Sequence, residues 1–279
     1  MRLHRMRLVA ALLVLALAAA LPVRADQQEV KVGDKIHRWL VNNGKIVNDS
    51  PLYDIANPIF NPIKSVADPS YDSPFVFVLG RDPYPNIAST PGGRVYASEK
   101  TFDFIKYREE FAGALCHSVA HTINHDYMKL VRKSANAQLG SLALWLIIMS
   151  GNMTSAFSSP GAWAKTVTSG LTTGNLGLGM PGATAAAGAL SSVATLSAAE
   201  QAEAGADTLG ADICAKAGIN PYGLVWLLQN YKRSGLNGRM EMLTDNPAAR
   251  VANLERHFAG NPELFGKFDS DRAHATPLR

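Results

Sequence analysis

Hydrophobic residues recur at helical spacing along much of the chain, and two short apolar runs have the length of strands. The spacing predicts helices over residues 30–41, 109–130, 197–216, 221–231 and 247–258. Residues 52–66 have the same spacing, but we expect Pro58 and Pro62 to break or kink that helix. The runs 75–79 and 94–98 predict strands. The pattern therefore predicts an α+β fold that is mostly helical, with a small antiparallel or mixed sheet.

The first 25 residues have the pattern of a secretory signal peptide. Arg2, Arg5 and Arg7 form a basic start, an apolar run covers residues 8–21, and Ala25 ends a small-residue cleavage site. The apolar run is shorter than the roughly 20 residues that span a bilayer, which argues against a membrane anchor. We therefore expect cleavage after Ala25 and a location in the periplasm or outside the cell.

Removal of the predicted signal peptide changes the charge of the chain. The full sequence has 27 basic and 23 acidic residues. Four of the basic residues and none of the acidic ones lie in the first 25 residues, so the mature chain has 23 of each. A net charge of zero gives no electrostatic reason to expect nucleic acid as a partner.

The segment 117–121, His-Ser-Val-Ala-His, places two histidines on one face of the predicted helix 109–130. Residues i and i+4 lie about 6 Å apart along a helix axis, a spacing at which two imidazoles can share one zinc ion. Glu203 and Asp207 have the same spacing on another predicted helix. In the usual His-Glu-x-x-His motif the residue after the first histidine is the general base, and here it is Ser118. The pattern favours a metal site while casting doubt on its usual chemistry.

Several segments, in their order and spacing, resemble one known family. They are Pro91-Gly92-Gly93-Arg94-Val95-Tyr96, residues 110–115, the two histidines of 117–121, Glu203 with Asp207, Leu209-Gly210 and residues 217–221. Together they make the chain similar to the family-48 zinc metallopeptidases, the gluzincins that include the BepA-like and HtpX-like envelope proteases. The resemblance extends over about residues 30–258.

The resemblance implies a role for each matching residue. His117 and His121 would bind zinc through imidazole nitrogens, with Glu203 as the third ligand and water as the fourth. Asp207 would accept a hydrogen bond from a ligand histidine and fix its tautomer. An extended polypeptide substrate would pair along the edge of one strand, formed by Arg94, Val95, Tyr96, Ala97 and Ser98.

Ser118 is the main departure from the family pattern. The glutamate that relatives have there takes a proton from the zinc-bound water, and a serine hydroxyl is far too weak a base near neutral pH. His125-Asp126 stand where the family often has Arg-His, Asn246 replaces the histidine of a His-Pro element, and Gly205 replaces a frequent glutamate. His125 is too far along the helix from His117 to share its ion, so we expect a capping or surface histidine.

Three functional hypotheses are open at this point. The leading one is an exported, zinc-binding member of the family that binds unfolded or extended envelope polypeptides, with peptide-bond hydrolysis weak or lost. The second is an active zinc endopeptidase of envelope protein quality control, which requires a substitute for the missing base. The third is a metal-free interaction scaffold.

The expected domain organisation follows from the signal peptide and the resemblance. A signal peptide over 1–25 precedes an N-terminal helical segment over 26–66, a metallopeptidase-like domain over 67–262 and a tail over 263–279. Within the domain, residues 134–195 are predicted to form an apolar helical hairpin. Its residues 139–195 are candidates for a mobile lid or a contact with a membrane surface.

Cys116 and Cys214 are the only cysteines of the sequence, and an exported protein favours their pairing. Cys214 follows Glu203 by 11 residues, or about 16 Å of helix. If Glu203 meets the histidines next to Cys116, then Cys214 should lie beyond the roughly 7 Å that a disulfide allows between Cα atoms. The spacing therefore argues against a bond between them.

Overall fold

The computed structural model describes residues 27–133, 193–231 and 246–279. The predicted signal peptide lies outside the described residues, and so does the predicted apolar hairpin over 134–195 except for residues 193–195, which begin a helix. Within the described ranges, no helix is both long and apolar enough to cross a bilayer.

Helices make up most of the described structure, which confirms the predicted α+β fold with a mainly helical body. They are α1 (Gln27–Asn42), α2 (Leu52–Ala67), α3 (Thr101–Phe104), α4 (Arg108–Ile123), α5 (Asp126–Lys133), α6 (Val193–Lys216), α7 (Tyr222–Tyr231), α8 (Pro247–Gly260) and α9 (Pro262–Phe265), with single 3₁₀ turns at Asp68–Ser70 and Arg272–His274. α4 lies at the centre, where it packs against α2, α6, α7 and the sheet.

Helix α2 continues through both of its prolines, so the expected break does not occur. Pro58 and Pro62 are four residues apart, which puts them on one helix face, and both are exposed. The hydrogen bonds that their missing N–H groups would make are therefore lost on the solvent side, where water can satisfy the freed carbonyls. The opposite face keeps its packing, because Phe60 and Ile63 are buried in the core.

The sheet is mixed and has four strands in the order β1-β2-β4-β3. They are β1 (Ile46–Val47), β2 (Val76–Gly80), β3 (Ile87–Thr90) and β4 (Arg94–Ser98). The predicted strand at residues 94–98 is confirmed, but it pairs with β2 on one side and with β3 on the other. The prediction that it offers a free edge is therefore wrong, and the edge on that side of the sheet belongs to β3.

The long helix predicted over residues 109–130 is divided into α4 and α5. His125 has a left-handed backbone with φ 53°, a conformation that ends a helix and that histidine adopts more readily than most side chains. The chain therefore turns at Asn124 and His125, and Asp126 begins a second helix. This corner lies one turn after the second histidine of the 117–121 segment.

The segment 263–279, predicted to be a tail, packs on the start of α4. The Arg108 amide donates to the Thr276 carbonyl at 2.9 Å. The Arg272 guanidinium lies 2.8 Å from the carboxylate of Glu110, which is fully buried. A buried carboxylate requires such a partner, so the segment contributes directly to the folded domain.

Candidate metal centre

Direct backbone contact between α4 and α6 brings the candidate ligands together. A Cβ atom on Gly210 would lie 2.8 Å from the His117 backbone nitrogen, so only glycine allows the helices to approach this closely. Glu203 lies two turns before Gly210 on α6, and its side chain reaches the imidazoles of His117 and His121. All three candidate ligands are buried.

The three side chains have the spacing of a zinc site. The Nε2 atoms of His117 and His121 lie 3.0 Å apart. The Glu203 carboxylate lies 3.4 Å from the His117 Nε2 and 3.5 Å from the His121 Nε2. Bonds of about 2.0–2.1 Å to a tetrahedral ion place its ligand atoms about 3.4 Å apart. The donor set of two imidazoles and one carboxylate, with all ligand atoms within 4.8 Å, therefore fits zinc.

Each histidine has a carboxylate at its other ring nitrogen. The Nδ1 atom of His117 lies 2.9 Å from Asp207, and the Nδ1 atom of His121 lies 2.9 Å from Asp126. A carboxylate at Nδ1 holds the ring proton there and leaves Nε2 free to bind a metal. Asp207 therefore lies where the role implied by the resemblance requires it. Asp126 was not predicted to be part of the site, since a continuous helix would have carried it away from the histidines.

Arg250 was likewise not predicted to lie at the site. Its guanidinium donates two hydrogen bonds to Asp207, at 2.7 and 2.6 Å, and lies 3.3 Å from Glu203. The side chain is only 5% exposed. Asn246, where the resemblance led us to expect a histidine, accepts a hydrogen bond from the Ala249 amide and caps the helix that carries Arg250.

The buried charges of the site can be balanced by a divalent cation. Glu203, Asp207 and Asp126 carry three negative charges and Arg250 one positive charge, so neutral histidines leave the cluster at minus two. Without a metal, burial lowers the pKa of His121, but the carboxylates of Glu203 and Asp126 outweigh it and raise that pKa to about 9. Burial likewise raises the pKa of Glu203, but His121 and Arg250 prevail and lower it. A dication would neutralise the cluster without a proton on His121.

Ser118 is buried beside this cluster, and its hydroxyl has no partner within the described part of the chain. The backbone carbonyl of Ser118 accepts a hydrogen bond of 2.6 Å from the Ser89 hydroxyl, which attaches β3 to α4. Asp126 and Asp207 each face a histidine, and Glu203 faces both. Each carboxylate of this cluster is therefore engaged with at least one histidine.

The outer side of β3 runs along the same part of α4. The Ser98 amide donates to the Asn86 carbonyl, which sets the hydrogen-bond pattern between β3 and β4. In an antiparallel pair only alternate residues bond to the partner strand, so the backbone groups of Ile87 and Ser89 point away from β4. No backbone group among residues 27–133, 193–231 and 246–279 pairs with these outward groups. All four residues of β3 are buried, so this unpaired edge of the sheet is not exposed.

Cys116 and Cys214 form a disulfide with a Cα–Cα distance of 5.9 Å, so the expectation from their spacing is wrong. The two helices run in opposite directions, with Gly205 next to Asn124 and Gly210 next to His117. The Glu203 backbone consequently lies beyond the C-terminal end of the histidine pair, and its long side chain reaches back. Because α6 starts beyond the histidines and runs back along α4, Cys214 lies beside Cys116.

Comparison with known families agrees with the geometry. The sequence profile of peptidase family M48 matches residues 60–258, and the chain belongs to that family. The resemblance inferred from the motifs is therefore confirmed. No curated protein gives a significant match to the chain. The matched region includes the candidate ligands and Arg250, whereas α1 lies before it.

Proposed function

We propose that this member of peptidase family M48 binds one zinc ion through His117, His121 and Glu203, and that its peptide-bond hydrolysis is weak or lost. The observation that carries this proposal is the contrast at residues 117–121. The buried histidines have zinc spacing and a carboxylate each, while Ser118 between them has no carboxylate and, among the residues that the structure describes, no partner for its hydroxyl.

Zinc, when bound there, supplies a Lewis acid that polarises a carbonyl and lowers the pKa of a bound water. The protein's own side chains position and neutralise the site. Asp207 and Asp126 orient the imidazoles, and Arg250 balances the charge of Asp207 and Glu203. No residue of this group takes the proton that leaves an attacking water. General base catalysis typically contributes 10²–10⁴-fold to a rate, so we expect a loss of at least that order.

The partner that we propose is an unfolded or extended polypeptide that pairs with β3 once the buried edge of that strand becomes accessible. Its support is the unpaired outer side of that strand and the Ser89–Ser118 hydrogen bond, which holds the strand next to the candidate metal centre. We further propose that the chain acts in the periplasm or outside the cell. The signal-peptide pattern and the Cys116–Cys214 disulfide both favour export into an oxidising compartment.

Strand pairing can be tested with chemically modified ligands, so that the protein itself is unchanged. Fluorescent peptides of one extended sequence are N-methylated on odd or on even residues, and their binding is followed by anisotropy. Pairing with an edge uses the amides of alternate residues only, so we expect one methylated series to lose binding and the other to keep it. Equal binding of both series would exclude pairing along β3.

Loss of hydrolysis is tested by incubating the zinc-loaded mature protein with an unfolded polypeptide and following cleavage by mass spectrometry. We expect binding without cleavage. Zinc-dependent cleavage that disappears in His121→Ala would instead identify an active endopeptidase. A protein that binds the peptides but takes up no zinc would be a metal-free scaffold.

A further inference from the structure

The corner between α4 and α5 decides where one carboxylate of the candidate metal centre lies. His125 adopts a left-handed backbone at this corner, which is unfavourable for a residue with a Cβ atom and therefore needs support from its surroundings. Asp126 follows at once, and its carboxylate lies 2.9 Å from His121 Nδ1. Any change in the backbone at His125 would move Asp126 relative to that ligand.

A buried carboxylate of α1 contacts the corner. Glu29 is 2% exposed, and its carboxylate lies 2.8 Å from His125 Nδ1. The Tyr71 hydroxyl donates to the same carboxylate oxygen at 2.9 Å and accepts from the Gly92 amide at 3.0 Å. A buried carboxylate is stable only with such partners, so α1, the corner and the β3–β4 turn are held to one another through Glu29.

The other polar contacts of α1 reach the β3–β4 hairpin rather than the corner. Asp34 forms an ion pair of 2.9 Å with Arg94, and His37 lies 3.1 Å from the Tyr96 hydroxyl. Within the described ranges, Glu29 provides the polar contact between α1 and the corner. Asp34 therefore offers a control on the same helix that leaves the corner untouched.

We propose that Glu29 is a positioning residue for the metal centre, and that it couples the docking of α1 to the retention of zinc. Acting through His125, it fixes the corner so that Asp126 faces His121. The path consists of one contact of 2.8 Å, one peptide bond and one contact of 2.9 Å. This inference rests on the proposed zinc binding, but it concerns a helix that lies before the region matched by the family.

Coupling of this kind acts in both directions. If α1 helps to retain the metal, bound metal must stabilise the docked position of α1 by the same free energy. Zinc should then slow hydrogen exchange at the α1 amides, although α1 contributes no ligand. This consequence can be measured on the unmodified protein, so it does not depend on whether a variant folds.

The decisive experiment is a double-mutant cycle on the rate of zinc release into excess chelator. Loss of a carboxylate behind a ligand histidine typically weakens metal affinity 10–100-fold, so we expect faster release from Asp126→Ala by about that factor. We expect Glu29→Ala to release zinc roughly 2- to 30-fold faster than the wild type. Glu29→Gln keeps an acceptor, so its release rate should lie between those of the wild type and Glu29→Ala. Asp34→Asn removes a partly exposed ion pair that does not reach the corner, so it should change zinc release much less than Glu29→Ala does.

The double variant separates positioning from a general loss of stability. If Glu29 acts through Asp126, then Glu29→Ala combined with Asp126→Ala should release zinc no faster than Asp126→Ala alone. The inference would be overturned if the effects of the two substitutions multiplied in the double variant, or if Glu29→Ala and Asp34→Asn released zinc at equal rates. It would also be overturned if zinc left hydrogen exchange at the α1 amides unchanged. A wild-type protein that binds no zinc would overturn the proposed function as well, so the two failures are distinguishable.

Discussion

The ligand side of the candidate metal centre and the position of Ser118 differ in the charged groups that surround them. Each ligand histidine faces a carboxylate, and Arg250 contacts both Glu203 and Asp207. Ser118, one residue from His117, has a buried hydroxyl that no described residue hydrogen-bonds. The contrast teaches that this fold can keep three residues that could hold a metal while the residue after the first histidine is not a carboxylate.

The largest expected effect is a gain of activity in Ser118→Glu. If only the base is missing, a glutamate restores it, and zinc-dependent peptide hydrolysis should rise by about 10²–10⁴-fold. The rate is measured with an unfolded polypeptide and equal zinc loading of both proteins. Ser118→Gln is the matched control, because it has nearly the same shape but cannot accept the proton. A fully loaded Ser118→Glu protein without activity would show that the site is altered beyond residue 118.

Removal of Arg250 tests the ligand side. Arg250→Met leaves Asp207 and Glu203 buried without their cation, and breaking a buried ion pair in this way typically costs about 3–5 kcal/mol. We expect the free energy of unfolding in urea to fall by this amount for the metal-free protein. The fall should be smaller with zinc bound, because the dication compensates for part of the missing charge. The exposed Arg256 on the same helix supplies the control Arg256→Met. Equal losses with and without zinc would contradict the charge balance described here.

The disulfide links the two helices that carry the candidate ligands. Replacement of Cys116 and Cys214 by alanine should reduce the free energy of unfolding by about 2–5 kcal/mol, the usual effect of removing a native disulfide. Urea unfolding of the double variant and of the reduced wild type should agree. If the bond also keeps Glu203 against the histidines, zinc affinity should fall in both. An unchanged affinity would limit the role of the bond to stability.

A smaller effect is expected from pH. In the metal-free protein the pKa of His121 is raised to about 9 from 6.5, so its proton stabilises the fold below about pH 6.5 and that stabilisation is lost as the pH rises through 9. Zinc binding must displace this proton, so the affinity of the protein for zinc should rise by about tenfold per pH unit between about pH 6.5 and 9. Calorimetry in buffers of different ionisation enthalpy measures the proton release. Zinc affinity that does not change with pH would contradict this account of His121.

The sequence was sufficient for the parts of the molecule that depend on local spacing. The i, i+4 pairs predicted which side chains share a helix face, and the apolar run at 94–98 predicted β4 with its observed bounds. β3 was missed because Ile87–Thr90 is short and lacks an apolar run. The resemblance implied that the strand at 94–98 is a free edge, and the unpredicted β3 occupies that edge.

The other features that the sequence did not predict are contacts that arise only where helices cross. Arg250 reaches the site from α8, and nothing in its local sequence shows that Asp207 is its partner. Asp126 enters the site because the chain turns at His125, whereas a continuous helix would have carried it away. The disulfide depends on the antiparallel offset of α4 and α6, which places Cys214 level with Cys116.

The most direct test of the central claim is the zinc content of the mature protein, purified without added metal, beside that of His121→Ala. The account predicts about one zinc ion per chain in the wild type and none in the variant, because the variant loses one of the three ligands. No zinc in either protein, or equal zinc in both, would contradict a metal centre at His117, His121 and Glu203.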